Sequence, residues 1–229
     1  MLIKASVLIR EMSIRFGDEI VYSGDTLVSD GVRISESDWI DYINQAVLQI
    51  LLVRPDANAV LKSVALTEGT KQKIPDDGHC FIDITRNMGE DGETPGKAIY
   101  GADRETMDQM NPDWHTAAVG TVVKNYMFDK KFPRTYFVSP PIGEVTDVYI
   151  ELVYSEIPDA IDQSSDYMPL TDTYFTPIKD WALSLAFSMD ADSGANSTLG
   201  DKHQELFYRE LGIEFDSTSM IMPESTEGT

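Results

Sequence analysis

The chain has 229 residues, and 18 Lys and Arg against 39 Asp and Glu leave a formal charge of −21. So acidic a balance excludes a nucleic-acid binder that works through clustered cations and counterion release, and it repels anionic lipid headgroups. Hydrophobic residues at 42% and charged residues at 25% exclude wholesale disorder, while the single cysteine, Cys80, excludes an intramolecular disulfide and a cysteine-built zinc cage.

At the N-terminus, Lys4, Arg10 and Glu11 break any apolar run, so the segment does not read as a signal peptide. No stretch of about 18 apolar residues follows anywhere, and no membrane span is expected. Residues 3 to 16 have Leu8, Ile9, Met12 and Ile14 interleaved with cations, which predicts a short amphipathic helix, polar enough to be mobile. Ser35 with Glu36 and Asp38 starts a firmer helix, carried by Trp39, Ile43, Ala46, Val47 and Ile50 to about Val53 and stopped by Pro55.

From Ala59 the period drops to two. Val60 to Ile74, folded about the turn at Glu68, reads as a hairpin. Phe81 to Ile84 makes a short strand, Asn87 to Gly96 a loop, and Lys97 to Tyr100 extended chain. Asp103 caps a helix that ends at Asn111-Pro112. Val122 to Phe128 pairs with Thr135 to Val138 across DKKFPR, and Val145 to Tyr154 is the longest predicted strand. Phe175 to Met189 then returns to helical spacing with Pro177 in the first turn, and a last helix spans about Thr198 to Leu211 with Gly212 as its C′ residue.

Helices at both ends with strands between predict an α+β fold: a helical bundle from the N- and C-terminal helices with an inserted antiparallel β-domain. The expected divisions are 1–58 for the arm and first bundle helix, 59–158 for the β-domain, 159–212 for the late bundle helices, and 213–229 for a flexible tail.

Little in the sequence points to catalysis. His79, His115 and His203 show no i, i+4 pairing, and G-x-S-x-G, P-loop and G-x-G-x-x-G signatures do not occur. His79 and Cys80 are strand neighbours that face opposite ways, which disfavours a nucleophile pair. One motif comes near: Asp190 to Asp201 places acids at positions one, three and twelve of a calcium-hand loop. Position six is Ala195 where the turn needs Gly, and Asp201 is short for bidentate reach. An acidic calcium- or metal-binding module, or a hydrolase, using Asp190, Asp192 and Asp201 is therefore the alternative function. No cofactor, metal or catalytic residue is expected on the main reading.

Several strings are familiar together. They are Trp39 to Ala46 running on to Leu52-Val53-Arg54-Pro55-Asp56-Ala57, then Ile84-Thr85-Arg86-Asn87-Met88-Gly89, then Asn111-Pro112-Asp113-Trp114-His115. Phe132 to Pro141 and the helix around Ala186 to Asp190 complete the set. Over Ser35 to Leu211 the chain resembles the tailed-phage adaptor proteins, the head-to-tail connector or tail-tube adaptor proteins of short-tailed phages. The resemblance implies a structural virion protein at the head–tail junction, made in the host cytoplasm and not an enzyme. It also implies a ring, commonly a dodecamer, between the portal protein and the tail (nozzle or tube) protein, with DNA passing through unbound. Another tail-ring protein, such as a nozzle, is a variant of that reading.

Two sets of residues are candidates for these contacts. The acids Glu90, Asp91 and Glu93 would line or rim the passage, where like charge keeps duplex from adhering. Ile213, Phe215, Met220, Ile221 and Met222, apolar anchors in a polar tail, would order on the portal or a neighbouring subunit.

Overall fold

Ser35 closes a capping box. Its Oγ accepts the Asp38 backbone N–H at 3.2 Å, and the Asp38 carboxylate accepts the Ser35 N–H at 3.0 Å. Two orphan donors of a helix start are satisfied in one exchange. In the computed structural model this helix runs Glu36–Val53. The structure describes residues 3–18, 20–24, 26–27, 32–144, 147–189 and 194–212. The elements in chain order are α1 (Ala5–Phe16), β1 (Tyr22–Ser23), β2 (Thr26–Leu27), α2 (Glu36–Val53), β3 (Ala59–Ala65), β4 (Gly69–Lys73) and β5 (Gly78–Asn87). There follow β6 (Tyr100–Gly101), α3 (Arg104–Met110), β7 (Asn125–Phe128), β8 (Thr135–Ile142), β9 (Tyr149–Glu156), α4 (Phe175–Met189) and α5 (Gly194–Glu210). The chain is thus α+β, and it divides into a helical unit, 1–54 with 159–229, and a β unit, 55–158.

In the helical unit α4 is the central element, packed by α1, α2 and α5. That is why Ile178, Ala182, Leu183, Ala186 and Phe187 are all buried, more of the circumference than one stripe provides. Met189, expected on the apolar face, is instead 73% exposed. The N-terminal arm is not the mobile piece its polarity suggests. Ala5, Leu8, Ile9, Met12 and Phe16 form one buried stripe, and Phe16 meets Trp39 edge-on at 6.1 Å. Its first donors are also spoken for, because Ala5 N–H bonds the Asp166 carbonyl and Ser6 N–H the Ser164 carbonyl. Where α5 crosses α4, a Cβ on Gly200 would sit 3.2 Å from the Ser184 carbonyl oxygen. Glycine is what permits that approach.

The β unit has two sheets, ordered β3-β9-β5 and β4-β8-β7-β6. One core joins them, with Phe81, Ile84, Ile150, Leu152 and Tyr154 from the first and Tyr136, Val138 and Ile142 from the second. This packing corrects the hairpin expected over Val60 to Ile74. β3 pairs with β9 without a register break, whereas β4 pairs with β8 in the other sheet. The buried Gln72 explains the parting. Its Oε1 accepts Thr67 N–H and its Nε2 donates to the carbonyls of Thr67 and Gly69. The turn is clamped to β4, and the chain crosses from one sheet to the other. The antiparallel expectation also needs correcting at one place, since β6 runs parallel to β7. The longest strand is β5, ten residues, not the segment ending at Tyr154.

Candidate functional site

Asn87 organises a buried polar cluster of the β unit. It ends β5 and is buried, so its amide must find partners within the protein. Nδ2 donates to the Lys97 carbonyl and to the Val123 carbonyl, each at 2.9 Å, and Oδ1 accepts the Val123 N–H at 2.8 Å. The segments holding Lys97 to Tyr100 and Val122 to Asn125 are thereby pinned side by side. Between them lies an open groove of about 540 Å³.

The loop from Met88 to Gly96 leaves from the same residue. Gly89 and Gly92 take φ of +70° and +73°, a left-handed backbone that suits glycine. Asp91 Oδ1 accepts the N–H groups of Glu93 and Thr94, at 3.0 and 2.9 Å, and Oδ2 accepts the Thr94 hydroxyl at 2.7 Å. Those donors, the Thr94 hydroxyl foremost, stabilise the carboxylate and hold its pKa down at about 2. Glu90, Asp91 and Glu93 are all exposed. Asp91 is thus the loop's structural knot as well as one of its charges, a role the acid count alone does not disclose. The apolar candidates Ile213, Phe215, Met220, Ile221 and Met222 lie outside the described residues.

The histidines have local partners. His115 stacks on Trp114 with ring centroids 3.6 Å apart, and its Nδ1 is 2.8 Å from Thr70 Oγ1. His203 on α5 lies parallel to the Phe187 ring, with Nδ1 2.7 Å from Asp180 Oδ1. Asp180 is only 4% exposed. This aspartate–histidine pair was not anticipated from the sequence, and the one available signal was an acid inside the apolar run of α4. The Cys80 thiol sits part-buried on β5, and burial raises its pKa. The calcium-loop candidate is corrected by helix geometry. Residues 194 to 201 belong to α5, so Asp201 is seven residues into a helix and not at the end of a loop. Asp190 and Asp192 lie outside the described residues. Among the described residues no three His, Cys, Asp or Glu gather as a metal site, and no helix is long and apolar enough to cross a membrane.

Charge is divided unevenly. The helical unit holds 8 Lys and Arg against 22 Asp and Glu, and the β unit 10 against 17. Within the β unit, Lys62 bridges Asp77 at 3.1 Å and Glu156 at 2.7 Å, Arg86 pairs with Glu151 and Arg104 with Asp108. Lys71, Lys73, Lys130 and Lys131 make no ion pair among the described residues. They gather at one end of the second sheet, because Lys73 pairs in register with Thr135, the residue that follows the β7–β8 turn.

The described residues thus offer a braced acidic loop in the β unit and an uneven division of charge between the two units. No curated protein matches the chain. The SU10 adaptor protein family matches it over residues 5–225, nearly its whole length, and the chain therefore belongs to that family, as a structural adaptor protein of phages.

Proposed function

We propose that copies of this chain form a ring, a dodecamer, between the portal and the tail of the virion and leave a passage for duplex DNA. Membership of the adaptor family carries this reading. Charge supports it. At −21 per copy, a ring surrounds DNA with carboxylates that offer no counterion release, so the duplex is enclosed without being held during ejection. The exposed, internally braced loop with Glu90, Asp91 and Glu93 is the part assigned to the rim or wall of that passage. The tail anchors Ile213, Phe215, Met220, Ile221 and Met222 are assigned to the portal or to a neighbouring copy, where tail assembly begins.

Mass photometry and negative-stain imaging of the chain mixed with its portal protein test the reading. Rings of copies seated on the portal are expected. A chain that stays monomeric beside the portal, or is absent from purified virions, contradicts it. Truncation after Gly212 that leaves portal binding undiminished removes the assignment of the tail alone.

A further inference from the structure

The β7–β8 turn is a built projection. Phe132 N–H bonds the Asp129 carbonyl at 2.9 Å, Lys131 N–H bonds Asp129 Oδ1 at 2.9 Å, and Thr135 N–H bonds the Phe132 carbonyl at 2.9 Å. The base of the turn is tied down too. Phe81 N–H bonds the Pro133 carbonyl at 2.8 Å, and Arg134 Nη2 donates to the carbonyls of Pro75 and Asp76. What remains free is the tip, where Lys130, Lys131 and a 58%-exposed Phe132 face solvent. Beside it, Lys71 and Lys73 point outward from β4 while Thr70 and Gln72 point in. An exposed aromatic next to Lys130 and Lys131, with Lys73 in register with Thr135 at the foot of the turn, sits on a backbone already ordered and has the makeup of a binding anchor that loses little entropy on docking.

We infer that this basic tip is one half of the contact between copies, docking on the acidic helical unit of the neighbouring copy. The inference rests on the ring reading above. Complementarity is the argument. The chain has 39 carboxylates, yet these four lysines make no ion pair among the described residues, and its helical unit holds 22 of the acids against 8 cations. Opposed patches of that kind steer and register association. The patch cannot meet itself across a twofold axis, because that would oppose lysine to lysine. In a ring, each copy presents its tip to one neighbour and its helical unit to the other, a heterologous contact of the type that closes rings. Duplex DNA is the competing partner for such lysines. It would be retained by counterion release, against the free passage on which the ring reading depends.

The test pairs a variant with zero-length amine–carboxyl cross-linking on full-length chain. In a mixture of isotopically light and heavy copies seated on the portal, cross-links are expected from Lys71, Lys73, Lys130 or Lys131 of one copy to acids within 1–54 or 159–212 of the other. The variant K71Q/K73Q/K130Q/K131Q should fold with a melting temperature close to the native one, since these lysines make no ion pair among the described residues, and lose ring formation at least about tenfold, as should the native chain on raising salt. Phe132→Ala should weaken rings without altering their salt dependence. Rings that tolerate the quadruple variant, or lysine cross-links confined to β-unit acids, overturn the inference while leaving the ring reading intact. Loss of retention of a short DNA duplex by the variant, with rings unaffected, overturns it in favour of nucleic acid. Failure of the native chain to form rings on the portal overturns the ring reading itself.

Discussion

Asn87 and Asp91 sit four residues apart and are bound by different rules. Asn87 is buried, so losing its amide strands the buried Val123 carbonyl and N–H, while the Lys97 carbonyl keeps the Asn87 backbone N–H. Asn87→Ala is expected to destabilise the β unit by about 2–3 kcal/mol and to loosen the groove walls, as read by denaturant titration and by amide exchange at Val123. Asp91 is fully exposed, and its effect is read better as a titration than as an energy. Its carboxylate is favoured by three donors, so its folded pKa lies below the ordinary aspartate value, at about 2. A depressed carboxylate contributes stability that is present above the unfolded pKa and is lost as pH falls through the folded one. The loop should therefore keep its conformation from neutral pH down to about 3 and open as pH approaches 2. Carboxyl-resolved NMR should find Asp91 titrating near 2, and a midpoint near 4 would show that the donors do not hold it.

At the scale of elements, the informative contact is α4 against α5. Gly200 lies on α5 over Ser184 and Ser188 of α4, and the nearest obstacle that cannot rotate away is the Ser184 carbonyl. A glycine inside a helix costs about 1 kcal/mol against alanine in propensity, so its presence points to a steric requirement. Gly200→Val is expected to push the helices apart and cost about 1–3 kcal/mol, with a matching fall in melting temperature. Within the same pair, Asp180 and His203 are joined at 2.7 Å. Replacing the histidine by alanine leaves an aspartate 4% exposed without that partner, and about 1–3 kcal/mol should be lost. The double replacement with apolar residues should recover part of it, which a double-mutant cycle would measure.

For the whole molecule, the β unit carries its own core, from Leu66 to Tyr154, and its sheets are completed without the helices. A fragment spanning 55–158 is expected to unfold cooperatively by circular dichroism and calorimetry, and a broad, structureless profile would show that it depends on the rest of the chain. Calcium and EDTA should leave the melting temperature of the intact chain unmoved, because a ligand stabilises only what it binds, and the candidate calcium loop is partly helix.

Local signals decided a good deal of this protein unaided. The capping box at Ser35, the stop before Pro55, the caps at Asp103 and Gly212 and the strand pair around DKKFPR act within a few residues, and each is where the chain's own chemistry places it. The helix–strands–helix order, and with it the α+β class, follows from the same short-range periodicities. Which strands share a sheet was decided elsewhere. β3 and β4 are adjacent in sequence and alternate well, yet part into different sheets, because β9 offers β3 seven paired residues and Gln72 folds the intervening turn back on β4. Likewise, the arm before Gly17 looks too polar to settle until α4 and α2 supply the surface that its apolar stripe covers. The gathering of Lys71 and Lys73 with Lys130 and Lys131 was equally invisible in one dimension. Some sixty residues separate them along the chain, and only the register of β4 on β8 makes them neighbours.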